Sequence, residues 1–216
     1  MPENQLTFER LDAGSGPRFE AFYAIYATSL SPREQKPKAI IAALPDRQDY
    51  AILLLCRGDR IIGFSVMFVA AHARFCLLEY MAIHPDYRSL GYGGILFEHA
   101  FGDITETHGP VHGLIEVDAD REPCPDLEIR RRRQRFYRRL GCRRIDGLAY
   151  QLPLPGEGPP PAMDLMVYSP ADTTSIVKSQ LEYWLKTIYR DVYSCDPNDP
   201  RIGSMLAGLP DPVRLV

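Results

Sequence analysis

The sequence lacks any long apolar run: its 216 residues contain no stretch of about 18 uncharged apolar residues of the kind that spans a membrane. No signal peptide is expected either, because the N-terminus MPENQLTFER has acidic and amide side chains where such a peptide has a basic start and an apolar stretch. These absences predict a cytoplasmic protein with no membrane partner. The formal charge of −3 excludes a general attraction to nucleic acid, so a polyanion would have to be bound locally.

Cysteine is sparse and scattered. No CxxC pair is present, and no histidine lies near a cysteine at ligand spacing, which argues against both a zinc site and a disulfide framework. No metal is therefore expected. The thiols are predicted to be reduced and mostly buried, at Cys56, Cys76, Cys124, Cys142 and Cys195.

Two familiar phosphate loops are also absent. No lysine follows the glycines as a Walker loop requires, and after Gly91 and Gly93 the position that a Rossmann fingerprint reserves for glycine holds Leu96. What remains is the pattern RxxGxG, formed by Arg88, Gly91 and Gly93 and followed by the apolar segment GILFEHAF.

The RxxGxG pattern predicts a turn from a strand into a helix. The first N–H groups of a helix have no intrahelical acceptor, and they attract anions together with the positive end of the helix dipole. Glycines let the backbone approach a phosphate oxygen closely. In isolation the pattern more often indicates a tight turn beside a solvated arginine. The flanking segments are therefore needed to decide between an anion-binding turn and a simple tight turn.

Periodicity predicts most of the remaining elements. Alternation in QLTFERLD indicates a strand, and helical spacing in GPRFEAFYAIYATSL and PKAIIAALPD indicates two helices. Residues 50–85 have the pattern of three consecutive strands joined by short turns, which favours antiparallel hairpins. A helix at GILFEHAFGDITETHG and a strand at VHGLIEVDAD follow. Two more strands are predicted near 143–152 and 163–168, separated by the extended loop PLPGEGPPPA.

Two further helices carry predictions about which face is buried. In 127–140 the apolar side is formed by Ile129, Phe136 and Leu140. The tail helix TSIVKSQLEYWLKTIYRDVY packs on the core or on a partner subunit, which leaves a homodimer open. Its apolar face is formed by Val177, Leu181, Trp184, Leu185, Ile188 and Val192.

The predicted organisation is one domain at 1–168, with a C-terminal segment, 169–216, packed on it. The end of that segment beyond Cys195 is rich in proline, aspartate and glycine, and it is predicted to be irregular.

The segments around the glycine turn resemble one known family. LEYMAIHPDYRSLGYGGILFEHAF resembles motif A of the GNAT superfamily of N-acetyltransferases, through Ile83, Pro85, Tyr87 and the RxxGxG residues. RFYRRLGCRRI is similar to motif B, with Cys142 where an aromatic is common. The two motifs span residues 77–145, and the order of elements fits the family from about residue 5 to residue 168.

The resemblance implies a fold and a donor. The fold is α/β (α+β): a mixed, mostly antiparallel sheet of six to seven strands flanked by helices. The donor is acetyl-CoA, and the chemistry is direct attack by a primary amine in a ternary complex. The pantetheine arm would lie along the main chain of Met81, Ala82 and Ile83. The pyrophosphate would be held by N–H groups in the turn at Arg88, Ser89, Leu90, Gly91, Tyr92, Gly93 and Gly94.

Three residues are candidates for the proton transfers of such a reaction. Tyr137 matches the tyrosine that family members place near the CoA sulfur as general acid; without the family, core packing would be favoured. Glu79 is a carboxylate in an apolar strand, where it is either the base or a strand-face acid that is ion-paired or solvated. Glu116 is the alternative base, together with Asp118 on the same predicted strand.

Other reactive or charged residues are interpreted as solvent-exposed or as packing residues rather than as functional ones. The arginines of Arg130–Arg135 could contact the 3′-phosphate of CoA or an acidic acceptor, but a solvated helix face is favoured. Cys124 and Cys142 are conceivable acyl-relay nucleophiles, yet no base is supplied to either thiol, so packing is favoured.

The acceptor is a primary amine of a small molecule or of a protein. In the family it is gripped by segments that correspond here to residues 26–38 and 153–162, where Arg33 and Lys36 either hold a carboxylate or are surface charges. The alternatives that stay open are another acyl-CoA donor and a silent CoA-binding sensor or interaction module.

Overall fold

The computed structural model describes residues 5–32, 34–153, 162–169, 171 and 173–216. The chain divides into two compact units. The first contains the described residues up to Val69 together with Leu77–Gly109, and the second contains Ala70–Cys76 and the described residues from Pro110 onward.

The first unit is built from four strands and three α-helices, with short 3₁₀ turns between some of them. Its strands pair in the order β1-β2-β3-β4. β1 pairs antiparallel with β2, and β2 pairs antiparallel with β3. The strands are β1 (Leu6–Arg10), β2 (Tyr50–Arg57), β3 (Arg60–Ala70) and β4 (Phe75–Ile83), and the helices are α1 (Gly16–Ser29), α2 (Lys38–Ala43) and α3 (Tyr92–His108).

The middle strands of this unit are buried on both faces, which explains their nearly continuous apolar sequences. Gly63 shows how closely β3 and β4 approach. A Cβ added at Gly63 would lie 2.5 Å from Cδ1 of Ile83 and 3.0 Å from the carbonyl oxygen of Ala82. A glycine at this position therefore lets the end of β4 lie against β3, directly before the RxxGxG turn.

The second unit contains five strands and three helices. β5 and β6 each pair antiparallel with β7, in the order β5-β7-β6, and β8 pairs with β9 in a separate small sheet. In chain order the elements are β5 (His112–Asp118), α4 (Leu127–Arg139), β6 (Arg143–Arg144), β7 (Met163–Tyr168), β8 (Ser175–Ile176), α5 (Lys178–Asp191), α6 (Pro200–Leu206) and β9 (Val213–Arg214).

The predicted fold class is confirmed. Over the described residues, β1 to β7 supply seven sheet strands with antiparallel pairing within each unit, and six α-helices accompany them. No helix in the described part of the chain is long and apolar enough to cross a membrane. The predicted boundary after residue 168 stays a prediction.

The predicted face of α4 is wrong. Ile129 is 64% exposed and Phe136 and Leu140 are half-buried, whereas the buried residues of the helix are Gln134 and Tyr137. The amide of Gln134 is satisfied by hydrogen bonds to Asp164 and to the carbonyl of Asp118, so a polar side chain can take an inward position.

The C-terminal prediction is partly wrong. α5 packs within its own chain, because Trp184 is buried and its Nε1–H donates to the carbonyl of Ala73 at 3.0 Å. Val177 lies at the N-cap of α5 and is exposed. The segment beyond Cys195 is not irregular, because it forms α6, capped by Asp199, and β9.

The strand predicted near 143–152 is also shorter than expected. Only β6 forms there, and isolated bridges at Ile145 and Tyr150 continue the pairing. The loop PLPGEGPPPA, for which an extended course was predicted, lies almost entirely outside the described residues.

Candidate active site

The RxxGxG turn joins the end of β4 to the start of α3, as the sequence predicted. A 3₁₀ turn at Pro85–Tyr87 is followed by two left-handed residues, Ser89 with φ 64° and Gly91 with φ 84°. Gly91 is the N-cap of α3. No heavy atom lies within 4 Å of the point that a Cβ on Gly91 would occupy, apart from its chain neighbours. The backbone is therefore open to an approaching group at the end of the helix that attracts anions.

Arg88 stabilises this turn with its side chain. Its Nε donates to the carbonyl of Ile83 at 2.9 Å, and its terminal nitrogen donates to Oγ of Ser29 at 3.3 Å. Its backbone N–H donates to the carbonyl of Pro85. The guanidinium therefore connects the end of β4 to Ser29 at the end of α1, and the main-chain N–H groups of the turn are the donors that the sequence predicted for an anion.

The other predicted donor-binding residues lie in one continuous stretch of the first unit. Met81, Ala82 and Ile83 form the half-buried end of β4. The exposed side of the turn is formed by Arg88, Ser89, Leu90 and Gly91, and the half-buried first turn of α3 by Tyr92, Gly93 and Gly94.

Glu79 lies on β4, four residues before the strand ends, and its side chain is 3% exposed. The hydroxyl of Tyr50 donates to Oε2 of Glu79 at 2.8 Å. The ammonium of Lys36 forms an ion pair with Oε1. The sequence left Glu79 either as the catalytic base or as an acid that is ion-paired or solvated. In the structure it is ion-paired, and its partner is a lysine.

Aromatic side chains surround this ion pair. Tyr26 and Tyr80 stack edge to face at 5.1 Å between ring centroids, and the hydroxyl of Tyr26 accepts a hydrogen bond from the backbone N–H of Lys36 at 2.8 Å. Burial, and then the charge of Glu79, raise the pKa of Tyr50 and of Tyr80 well above the ordinary phenol value. Both phenols therefore remain protonated and able to donate at neutral pH.

Lys36 is not a surface charge, which was one of the two roles left open for it. Its side chain is only 20% exposed, and it forms an ion pair with Glu79 of the same unit. Arg33, the other candidate in this segment, lies outside the described residues.

Glu116 has a comparable environment in the second unit. The hydroxyl of Tyr193 donates to Oε2 of Glu116 at 2.6 Å, and the hydroxyl of Tyr150 donates to Oε1. Burial, followed by the charge of Glu116, raises the pKa of Tyr150 well above the usual phenol value. The carboxylate is therefore bound by phenols from two segments that follow it in the chain.

Asp118, the other acid of β5, forms an ion pair with Arg133 at 2.6 Å. This contact accounts for one arginine of the basic run in α4. Arg130 pairs with Asp126 at 3.0 Å and Arg131 with Glu128 at 2.8 Å, on the surface of the helix. The structure thus favours the solvated and locally paired face for these arginines.

Tyr137 is buried on α4 in the second unit, beside Phe136 at 5.1 Å between ring centroids. Burial raises the pKa of Tyr137 to about 12. Burial likewise raises the pKa of the neighbouring Cys142 to about 12, so its thiol is not a nucleophilic thiolate at neutral pH. Cys124, at the other end of α4, also has a raised pKa, through a hydrogen bond with Asp126.

Several residues of these clusters were missed at the sequence level. Tyr50, Tyr150 and Tyr193 are phenols in apolar or C-terminal segments, where burial alone would explain them. Asp164 is 1% exposed on β7, and it is held by Arg121 and Gln134. The interrupted apolar pattern MDLMVY was the available signal for a buried acid at this position.

Comparison with known proteins supports the motif assignment. Residues 48–143 match the family model described as Acetyltransferase (GNAT) domain. The comparison with curated proteins gave no match.

Solved structures of low sequence identity share the fold. A protein from Bacteroides thetaiotaomicron assigned to the GNAT family aligns over 88% of this chain and 99% of its own, with 21% identity and a TM-score of 0.69. An aminoglycoside 6′-N-acetyltransferase complexed with coenzyme A aligns over 76% and 96%, with 13% identity and a TM-score of 0.60. A GNAT family acetyltransferase from Elizabethkingia anophelis with acetyl-CoA bound aligns over 76% and 97%, with 15% identity and a TM-score of 0.51.

The fold and the turn between β4 and α3 define an acetyltransferase domain. Residues 48–143 match the GNAT acetyltransferase domain, and this matched segment contains motif A and nearly all of motif B.

Proposed function

We propose that the protein transfers an acetyl group from acetyl-CoA to a primary amine of a small molecule or of a protein, by direct attack in a ternary complex. The observation that carries this proposal is the turn at the end of β4, with its open left-handed Gly91 at the N-cap of α3. The bound acetyl-CoA and CoA of two structurally similar acetyltransferases support the donor.

The donor site is assigned to the stretch from Met81 to Gly94. The main chain of Met81–Ile83 would pair with the pantetheine arm in the manner of a neighbouring strand. The N–H groups from Arg88 to Gly94 would hold the pyrophosphate, each bond to a charged oxygen contributing about 1.5–3 kcal/mol. Acetyl-CoA supplies an activated thioester, and these main-chain groups position it.

The proton chemistry is assigned to three side chains. Glu79 accepts the proton of the acceptor ammonium, and Glu116 is the alternative base. Tyr137 acts on the departing sulfur. Because its pKa of about 12 lies above the thiol value of about 8.5, a hydrogen bond from the phenol to the thiolate is favoured over complete proton transfer.

The acceptor is assigned to the segment that precedes α2. A buried carboxylate ringed by Tyr26, Tyr50 and Tyr80 suits a cationic primary amine, because the acid attracts the ammonium and the rings add cation–π contact. The aminoglycoside acetyltransferase with the same fold is named for a small-molecule amine acceptor, which supports an amine as the class.

The donor assignment is tested by replacing Gly91 with valine. A β-branched residue is strained at φ 84°, and its side chain would occupy the open face of the turn. We expect the Kd for CoA, measured by calorimetry, to rise roughly 10- to 100-fold, which corresponds to the loss of one charged hydrogen bond. Gly102→Ala in the interior of α3 is the matched control, since no atom opposes its Cβ.

Unchanged affinity for CoA in Gly91→Val would contradict the assignment of the turn. Activity is scored separately, as CoA release by the wild-type protein over a panel of primary amines. Tight CoA binding without turnover of any panel amine would contradict acetyl transfer to a separate acceptor.

A further inference from the structure

Lys36 is a primary amine held directly against a candidate catalytic base. Its backbone is fixed by the Tyr26 hydroxyl, and the preceding Gln35 donates from Nε2 to the carbonyls of Ala27 and Leu30 at 3.0 and 2.8 Å. From this fixed backbone the side chain reaches Glu79, so the ammonium lies on the carboxylate. This contact is the one that the proposed function requires of an acceptor amine.

The other lysines of the chain have ordinary surroundings. The sequence contains four lysines against 21 arginines, and all four lysines lie within the described residues. Lys38 and Lys186 form exposed ion pairs with Glu20 and Glu182, and Nζ of Lys178 donates to the carbonyl of Leu209. Among these four amines, Lys36 alone pairs with a carboxylate that is nearly inaccessible to solvent.

The proposed course of the donor leads towards this amine. With the pyrophosphate at Arg88–Gly94 and the pantetheine arm along Ile83 to Met81, the thioester continues along β4 in the direction of Glu79. Glu79 is two residues beyond Met81 on the strand, about 7 Å at a rise of about 3.3 Å per residue. Its position on β4 therefore places the ion pair on the thioester side of the donor site.

We propose that Lys36 is a self-acetylation site, modified from acetyl-CoA when no other acceptor is present. This inference rests on the proposed function. The ammonium of Lys36 passes a proton to Glu79, and the neutral Nζ attacks the acetyl carbon. The new C–N bond forms as the C–S bond breaks. CoA leaves as the thiolate, and Nζ loses a second proton as the amide forms. One of the two released protons converts the thiolate to the thiol and the other passes to solvent, so Glu79 becomes a carboxylate again.

The modification changes the charge of the pocket. Nε-acetyl-lysine is neutral and cannot form an ion pair with Glu79, so a buried carboxylate loses its cation while the hydrogen bond from Tyr50 remains. Self-acetylation thus removes the positive charge that Lys36 holds beside Glu79. An incoming cationic amine would meet no competing ammonium there.

The test exploits the small number of lysines. Wild-type protein is incubated with isotopically labelled acetyl-CoA and no acceptor, and the label on each lysine is followed by peptide mass spectrometry. Lys38 is the internal control, because its side chain is 47% exposed and simple chemical acetylation by the thioester would favour it over Lys36. We expect Lys36 to be labelled at least tenfold faster than Lys38, with a rate per molecule independent of protein concentration.

Two variants keep the test informative. Glu79→Gln should slow labelling of Lys36 at least tenfold and leave Lys38 unchanged. Gly91→Val, which acts through donor binding, should slow labelling of Lys36 in proportion to its loss of CoA affinity, so the test does not depend on the folding of the Glu79 variant alone. Equal or slower labelling of Lys36 than of Lys38 in the wild type, or a rate that neither variant changes, overturns the inference.

The amine panel separates this inference from the proposed function. Transfer to a panel amine with Lys36 unmodified overturns self-acetylation and leaves the proposed function standing. Labelling of Lys36 without turnover of any panel amine supports self-acetylation. Absence of both, with CoA bound, overturns both.

Discussion

Single residues in this protein have roles set by what they contact rather than by their type. Glu79 and Glu116 are both strand carboxylates that accept hydrogen bonds from buried phenols, but Glu79 is also in contact with an ammonium. An acid that binds one amine in the resting protein can exchange it for another. At the residue scale this difference favours Glu79 over Glu116 as the site of amine binding.

The strength of the Lys36–Glu79 pair can be measured by a double-mutant cycle. We expect each of Lys36→Met and Glu79→Gln to lower the free energy of unfolding, and Lys36→Met to do so more, because it leaves a carboxylate that is only 3% exposed without its cation. Their coupling energy should be about 1–3 kcal/mol. Denaturant titrations of the four proteins give this value, and a coupling near zero would mean that the pair contributes nothing to stability.

Tyr137 is tested by removing its hydroxyl while keeping its ring. Tyr137→Phe should lower kcat about 100-fold if the phenol stabilises the leaving thiolate, since loss of one such donor typically costs that much. The Kd for CoA should stay within twofold of the wild-type value. A kcat equal to that of the wild type with an accepted amine would assign Tyr137 to packing.

At the scale of elements, α4 shows what local sequence can and cannot predict. Its existence follows from spacing, and its end at Arg139 is explained by the left-handed Gly141 just beyond the C-cap Leu140, but its buried face does not follow from local sequence. The inward position of Gln134 depends on Asp164 of β7 and on the carbonyl of Asp118, which are 30 and 16 residues away in sequence. An apolar pattern cannot reveal such distant partners, and it therefore favoured Ile129.

The face of α4 gives a prediction with a control on the same helix. Gln134→Met should lower the free energy of unfolding by roughly 1.5–3 kcal/mol, because it removes a hydrogen bond to the buried Asp164 carboxylate. Ile129→Ala should change it by less than about 0.5 kcal/mol, as exposed positions usually do. Thermal or urea unfolding of both variants measures the difference. A larger loss of stability for Ile129→Ala than for Gln134→Met would support the apolar face predicted from the sequence.

The same contrast holds for the candidate site. The turn at the end of β4 was predictable because its backbone geometry is encoded locally, by a short pattern that includes the left-handed Gly91. The partners of Glu79 were not, because Lys36, Tyr50 and the carboxylate come from three separate segments. The motif therefore predicted the turn, whereas the arrangement around Glu79 could be described only from the fold.

At the scale of the whole molecule, buried thiols and phenols make stability sensitive to alkali. Burial holds the pKa of Cys142 and of Tyr137 at about 12, whereas in the unfolded chain these groups ionise near about 8.5 and about 10. The stabilisation is complete below the unfolded pKa of each group. It is lost as pH rises towards the folded pKa, at about 1.4 kcal/mol per pH unit for each group.

We expect the free energy of unfolding to fall between pH 9 and pH 11, first through the thiols and then through the phenols. Urea titrations at several pH values measure the slope. Cys142→Ser, whose hydroxyl does not titrate in this range, should have a slope between pH 9 and pH 10 that is smaller by about 1.4 kcal/mol per pH unit. If the free energy of unfolding had the same pH dependence in the wild type and in Cys142→Ser, ionisation of the buried thiol would not be coupled to unfolding.

The packing of Trp184 also provides an intrinsic optical probe. It is the single tryptophan of the chain, and it lies in the second unit. The distance between ring centroids is 5.9 Å to Phe75 and 5.1 Å to His112. Its fluorescence spectrum therefore reports when α5 leaves its packing, without any label and without a contribution from another indole. Far-ultraviolet circular dichroism reports helices of both units, so agreement or disagreement between the two signals shows directly whether the two units unfold as one.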